Sequence, residues 1–284
     1  MKYFKIIASV LFVMLVAFLV ARGCWNVEIK ISPKKTTERT VSKKKGPVKK
    51  VKTVPSAVPA STRQEQVRMA IILDDWGHNL ALVKKAEEIE RPVTLSILPN
   101  LPHSREIAEE ASAHGLGVML HMPMQPKSLR QPLEPQTILT TTPDAKIVEY
   151  LDKALENVPH VEGVNNHQGS AATGDEHVMR TVLGHLKKKG LFFVDSQVIA
   201  TSVGAAVAKE LGVPFAKRDV FIDNTPALEA VQQQLRAAQK IALTHGRVVV
   251  IGHDKKVTLE AIRLMVPELE KNGVQLVLAK DLLE

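Results

Sequence analysis

From residue 67 onward, eight short apolar or β-branched runs recur, and segments with helical periodicity lie between them. The runs are 69–74 (MAIILD), 93–98 (VTLSIL), 117–121 (GVMLH), 161–165 (VEGVN), 191–195 (LFFVD), 213–217 (VPFAK), 248–252 (VVVIG) and 274–279 (VQLVLA). They are near-continuous in apolar character rather than alternating, as expected of strands buried on both faces. Helices are expected at 80–89, 103–114, 143–157, 175–189, 202–211, 226–244 and 257–272. Gly115 supplies a C-cap signal. Thr142-Pro143 and Thr225-Pro226 each read as an N-cap followed by proline at the first helical position. Pro267 is expected to kink the last helix or force a new turn. Strands alternating with helices imply parallel βαβ units. A (β/α) barrel of seven or eight strands, complete or incomplete, fits best, and a doubly wound open sheet is the alternative.

The first 66 residues follow other rules. Lys2 and Lys5 precede an uncharged apolar run over 6–21, long for a signal-peptide core and slightly short for a full span. A signal anchor over 1–23 is the first reading. A cleaved signal is the second, and a lipoprotein linked through Cys24 in Ala21-Arg22-Gly23-Cys24 is the third. Residues 30–52 hold ten basic residues and one acidic one, interrupted by prolines. Such a segment has too little apolar surface to form a core, so 24–66 is expected to be a disordered linker. The folded domain is expected over 67–284. Its location is expected to be the outer side of the cytoplasmic membrane, facing the periplasm or the cell exterior.

The formal net charge of +8 invites a nucleic-acid reading, but its distribution argues against one. Residues 1–52 hold 13 basic and two acidic residues, so the rest of the chain has a small acidic excess. Aromatics make up only 4% of residues, few for base-stacking platforms. No nucleic-acid partner is therefore expected. The basic linker suits either anionic headgroups or cell-wall polymer, or is a solvated spacer. Cys24 is the single cysteine, so any metal site within one chain must use His, Asp and Glu.

Chemistry in such folds sits at the carboxyl ends of the strands. Those ends read Asp74-Asp75-Trp76-Gly77-His78, Pro99-Asn100, His121 to Pro126, Asn165 to Ser170, Asp195-Ser196, Lys217-Arg218-Asp219 with Asp223-Asn224, and His253-Asp254. Acids, imidazoles and amides at nearly every end would meet at one mouth. The chain has no nucleophile elbow, no P-loop and no dinucleotide fingerprint after a strand, which leaves Asp/His chemistry. Adjacent aspartates in an extended chain face opposite ways, so a turn at Asp74-Asp75 is needed to aim both at the mouth. One of them can ligate a metal while the other accepts a proton, or either can simply cap the first helix. Asp75, His121 and His167 can form a carboxylate-plus-two-imidazole site, and His253 can protonate a leaving group. Asn100, Asn166, Ser170, Asp195 and Asp223 are candidates for substrate contact. The two aspartates among them equally suit loop capping.

At IILDDWG (71–77), LHMPMQP (120–126), GVNNHQGS (163–170), Val194-Asp195-Ser196 and Ile251-Gly252-His253, the chain resembles the divergent polysaccharide deacetylase family over roughly residues 67–283. That resemblance implies a distorted (β/α) barrel. It also implies removal of N- or O-acetyl groups from sugars with a divalent metal, typically zinc. Asp74 then corresponds to the general base, Asp75 to a metal ligand and His253 to the general acid. The better-known deacetylases carry two histidines after the third strand. Here His121 stands alone and Gln125 occupies the second position, so the missing ligand would come from His167. The expected function is a membrane-tethered carbohydrate deacetylase acting on a glycan. The alternative is a catalytically silent module of the same fold that binds a glycan or a cell-envelope protein.

Overall fold

The computed structural model describes residues 67–130 and 132–283. Nine strands are present among them: β1 (Val67–Trp76), β2 (Thr94–Ile97), β3 (Gly117–Met124), β4 (Gly163–Gln168), β5 (Phe192–Asp195), β6 (Phe215–Lys217), β7 (Val220–Phe221), β8 (Arg247–His253) and β9 (Val274–Val277). Seven α-helices lie between them: α1 (Val83–Glu87), α2 (Ser104–Ala113), α3 (Asp144–Asn157), α4 (Glu176–Lys189), α5 (Gly204–Leu211), α6 (Leu228–His245) and α7 (Lys256–Lys271). The strand order is β6-β5-β4-β3-β2-β1-β8-β7, with β9 added beside β1. Every strand pairing is parallel.

The two-residue period of a strand sorts its side chains into two cores. Met69, Ile71, Leu73, Leu95, Val118, Leu120, Val164, Phe193, Val248 and Val250 pack outward in the cluster that contains the helices' apolar stripes. Ala70, Ile72, Met119, Phe192, Val194, Ala216, Val249 and Ile251 form a second, smaller cluster inside the curled sheet. Extending the inward set along each strand reaches Asp74, Ser96, His121, Asn165, His167, Ser196 and His253 at the carboxyl ends. The apolar floor and the polar mouth therefore belong to the same inward-facing rows.

The two ends of the strand order, β6 and β7, are successive pieces of one chain segment separated by Arg218 and Asp219. β6 pairs with β5 and β7 with β8, so the segment passes from one side of the curled sheet to the other. Arg218 ties this corner. Its backbone N–H donates to Asp195 O, while Nε and Nη2 donate to the carbonyls of Ser196 and Gln197. Its guanidinium also lies 4.9 Å from the centre of the Phe221 ring.

The alternation of strand and helix holds throughout, with differences at the boundaries. The expected strand over 213–217 is followed by a separate two-residue strand, because the chain must turn across the corner. Thr142 does not cap α3. Its hydroxyl accepts from Leu139 N–H to close the preceding turn, and Pro143 is the cap residue. Likewise α6 begins at Leu228 with Ala227 before it, two residues beyond the Thr225-Pro226 signal. Pro267 sits inside α7, which runs as one helix from Lys256 to Lys271. No helix among the described residues is long and apolar enough to cross a membrane. The expected anchor and linker, 1–66, lie outside the described residues.

Gly163 shows how tightly the inside is packed. A Cβ added there would lie 2.3 Å from carbons of the Phe192 ring on the neighbouring strand. Gly163→Ala is expected to lower stability by about 1–3 kcal/mol, the usual range for overpacking. Urea denaturation measures this, and an unchanged midpoint would show that the ring moves aside freely.

Candidate functional site

Asp74 and Asp75 both reach the mouth because β1 does not stay regular. Its register against β2 shifts between Leu73 and Trp76, and Asp75 takes a left-handed φ of 67°. The expected turn is thus an irregularity within the strand, which continues to Trp76. Such a conformation is costly for a non-glycine residue and marks sites where a side chain is re-aimed.

Asp75 meets two imidazoles from neighbouring strands. Its Oδ1 lies 3.4 Å from His121 Nε2 and 3.1 Å from His167 Nδ1. Those two nitrogens are 3.2 Å apart. Asp75 Oδ1 is buried and has no well-directed hydrogen-bond partner. The two imidazole nitrogens are in hydrogen-bonding reach of each other, and each of the three atoms lies within 3.4 Å of the other two. Four ligands held tetrahedrally at about 2.1 Å from zinc stand roughly 3.4 Å apart. The spacing and donor set therefore fit a divalent cation on Asp75, His121 and His167.

Asn165 sets the chemistry of His121. An ionised Asp74 requires the amide NH2 toward it, and Asn165 Nδ2 donates to Asp74 Oδ1 at 2.8 Å. Asn165 Oδ1 then accepts from Ser96 Oγ at 2.5 Å and from His121 Nδ1–H at 2.7 Å. With its proton on Nδ1, neutral His121 presents the Nε2 lone pair to the triangle, the usual way an outer partner orients a metal-binding imidazole. Sequence reasoning missed Ser96, and placed Asn165 at a strand end without singling it out as a site residue. Their place on the inward rows of β2 and β4 is the signal that finds them.

His253 comes from the end of β8, whose register places it beside Asp74. Its Nε2 is 3.7 Å from Asp75 Oδ2, and its Nδ1 donates to Asp223 Oδ1 at 2.9 Å. Asp223 Oδ2 also accepts from the backbone N–H of His253 and from Thr258 Oγ1. Asp223 is thus buried behind the imidazole as its support. Phe221 meets the His253 ring edge-on with 5.0 Å between centres.

The environments push these groups apart. Burial drives the Asp74 carboxyl up, against the charge of His121 and the Asn165 bond. Burial also works on Asp75, but His121 and His167 outweigh it and hold that carboxyl far below the usual range. Burial depresses His121, yet the Asp74 and Asp75 carboxylates more than offset it and raise the imidazole to about 9. His253 is likewise lowered by burial but raised overall by Asp223. Asp254, next along the chain, is pushed up to about 7 by burial and the Asp75 charge.

The structure brings together Asp74, Asp75, His121, His167 and His253, with Asp223 behind. Other expected residues have different attachments. Asn166 and Asp195 lie on the outward rows: Asn166 Oδ1 accepts from Ser196 N–H, and Asp195 accepts from Gln197 N–H and Ser202 Oγ. Ser170 Oγ accepts from Lys127 N–H, and Asn100 Nδ2 donates to Gln136. Gln125 Oε1 accepts twice from Thr140. A second acid–imidazole group, Glu87, Glu110 and His114, lies on helices at the surface, where His114 Nδ1 donates to the Glu110 carbonyl.

A curled, all-parallel α/β domain with aspartates and imidazoles gathered at its strand ends is the polysaccharide deacetylase type of protein. The chain belongs to the divergent polysaccharide deacetylase family, whose model matches residues 71–283. It is 34% identical over 198 residues to an uncharacterized protein of Haemophilus influenzae, covering 70% of each chain. It is 32% identical over 216 residues to the uncharacterized protein YibQ of Escherichia coli, covering 76% of this chain and 67% of that one. Among solved structures, an uncharacterized Agrobacterium tumefaciens protein matches with a TM-score of 0.72 at 22% identity, over 76% of this chain and 89% of that one. The Bc1960 peptidoglycan N-acetylglucosamine deacetylase matches with a TM-score of 0.51 at 10% identity, over 76% and 87%. These likenesses show the fold.

Asp223→Ala is expected to strip acceptors from the two His253 donors and the buried Thr258 hydroxyl and to destabilise the fold by about 1–3 kcal/mol. The same change removes the charge that raises His253, so its pKa measured by NMR is expected to fall. An unshifted His253 titration would contradict the assigned support.

Proposed function

We propose that this chain is a metal-dependent deacetylase of acetylated sugars in a polysaccharide or peptidoglycan-type glycan. The observation that carries the reading is the triangle of Asp75 Oδ1, His121 Nε2 and His167 Nδ1, with its buried, unpartnered carboxylate oxygen. The Bc1960 neighbour, named as acting on peptidoglycan N-acetylglucosamine, supports an acetylated amino sugar as the substrate class. The reading includes a single-pass anchor over 1–23, with the domain in the periplasm or outside the cell. The run of apolar residues after Lys2 and Lys5 supports that location.

When bound, a divalent cation such as zinc supplies Lewis acidity toward water and a carbonyl oxygen. The rest is the work of this chain's side chains. Asp74 is held by Asn165 through Oδ1, which leaves Oδ2 on the side of His121, 3.7 Å from its Nε2. Its raised pKa makes it a better base than an ordinary carboxylate, so it takes the proton of the attacking water. Asp223 accepts from Nδ1–H and raises the His253 pKa above that of an ordinary imidazole, which favours the protonated form with Nε2 toward Asp75. From Nε2 His253 gives a proton to the departing sugar nitrogen or oxygen. Asp223 is a positioning residue here, in the manner of a carboxylate behind a catalytic imidazole. Phe221 packs edge-on against the His253 ring and helps fix its plane.

Calorimetric titration of zinc into the purified chain, combined with acetate release from an acetylated oligosaccharide, tests this reading. Asp75→Ala, His121→Ala and His167→Ala are each expected to weaken zinc binding by tenfold or more. Asp74→Asn is expected to keep zinc binding and lower kcat by about 10²–10⁴-fold, the usual worth of a general base. Zinc affinity unchanged in Asp75→Ala would overturn the metal assignment. Zinc binding without acetate release would favour the silent glycan-binding alternative.

A further inference from the structure

The device that brings Asp75 to the mouth recurs on two other strands. In β1 the inward Asp74 is followed by a non-glycine residue in the left-handed region. In β4 the inward His167 is followed by Gln168 at a φ of 54°, and after β5 the inward Ser196 is followed by Gln197 at 49°. Asn165 of β4 pairs with Val194 of β5, and that register carried onward sets Gln168 one strand spacing from Gln197. Both glutamines therefore stand at the carboxyl ends, beside His167 and Ser196.

The backbones of both glutamines are tied down. Asn166 Nδ2 donates to the Gln168 carbonyl at 2.7 Å. Asp195 Oδ1 accepts from Gln197 N–H, and Arg218 Nη2 donates to the Gln197 carbonyl. Asn166 and Asp195, expected as substrate contacts, are buried and act as these braces. The two side-chain amides, by contrast, make no hydrogen bond among the described residues, although both glutamines are half-buried. A left-handed φ strains a residue with a side chain but not glycine, which the chain places in that conformation as Gly190, Gly212 and Gly246 at the ends of α4, α5 and α6. Glu90 and His160 also adopt it, but on exposed turns. Half-buried glutamines held in a strained backbone at the mouth, with unpartnered amides, point to a ligand from outside the chain.

We propose that Gln168 and Gln197 are specificity-determining residues whose side-chain amides hold the hydroxyl and acetamido groups of the sugar adjoining the one at the metal-binding triangle. An amide offers both donors and an acceptor without charge, and two of them one strand spacing apart match the mixed donors and acceptors along one edge of a neutral sugar ring. The substrate class is then an uncharged N-acetylated oligosaccharide of two or more units rather than a single sugar. The inference rests on the proposed deacetylase reading for the place of the reacting sugar.

Calorimetry and acetate release on the full chain, with fully N-acetylated chitotetraose and with N-acetylglucosamine, test it. Gln168→Gly and Gln197→Gly remove the amides and suit the left-handed backbone. Together they are expected to weaken tetrasaccharide binding at least tenfold and to shrink its advantage over the monosaccharide. The thermal midpoint of each glycine variant is expected to equal or exceed that of the unaltered chain, because strain is relieved. Tetrasaccharide affinity unchanged in the double variant would overturn the subsite. So would a lowered midpoint in both glycine variants, which would make the amides structural, or absence of tetrasaccharide binding by the unaltered chain. Acetate release with an affinity indifferent to both changes refutes the subsite and leaves the deacetylase reading standing. Amide-dependent binding without acetate release does the reverse.

Discussion

Asn165 is fully buried on β4, and three other strands address its amide. It donates to Asp74 from β1 and accepts from Ser96 of β2 and His121 of β3. Its Nδ2 also lies 3.4 Å from Ser196 Oγ, and a flipped amide would turn its oxygen against the ionised Asp74 carboxylate. That single orientation fixes the imidazole tautomer of His121, directs Nε2 toward Asp75 and leaves Asp74 with one occupied oxygen. The remaining geometry of the mouth follows from it. The bond to Asn165 costs little strain, because parallel register already sets His121 beside Asn165.

The second device is the break in β1. Regular strand geometry would send Asp74 inward and Asp75 among the helices. The register shift and the left-handed φ at Asp75 bring both to one side in unlike surroundings. Asp74 is enclosed and its carboxyl is pushed up, while Asp75 faces two imidazoles and is held down. Two adjacent acids so separated suit a base and a ligand respectively. His253 completes the set from the opposite neighbour of β1, with Asp223 fixing its ring.

The sequence was informative where one strand sufficed and silent where two strands were needed. Apolar runs and intervening helical segments located nearly every element, because burial on both faces and helical periodicity are local properties. Asp74, Asp75, His121, His167 and His253 were legible as polar residues at strand ends. The same rule also put forward Asn166 and Asp195, which face outward. Strand parity separates them: Asn165 shares the inward row of Gly163 and His167, and Ser196 that of Phe192 and Val194. Ser96 was invisible for a different reason, since a serine inside a short apolar strand acquires meaning only from the amide across from it. Gln125 shows the limit of motif spacing. It occupies the position of a second histidine, yet its oxygen is held by Thr140, and the second imidazole comes from the next strand.

The central claim is that Asp75, His121 and His167 together hold one divalent cation. X-ray absorption at the zinc edge of the zinc-loaded chain tests it most directly, because the scattering shells count imidazoles and distinguish oxygen from sulfur. The account predicts two imidazoles with carboxylate or water oxygens and no sulfur, and loss of that signature in His167→Ala. A shell with one imidazole or three, or a two-imidazole signature that survives His167→Ala, would contradict it.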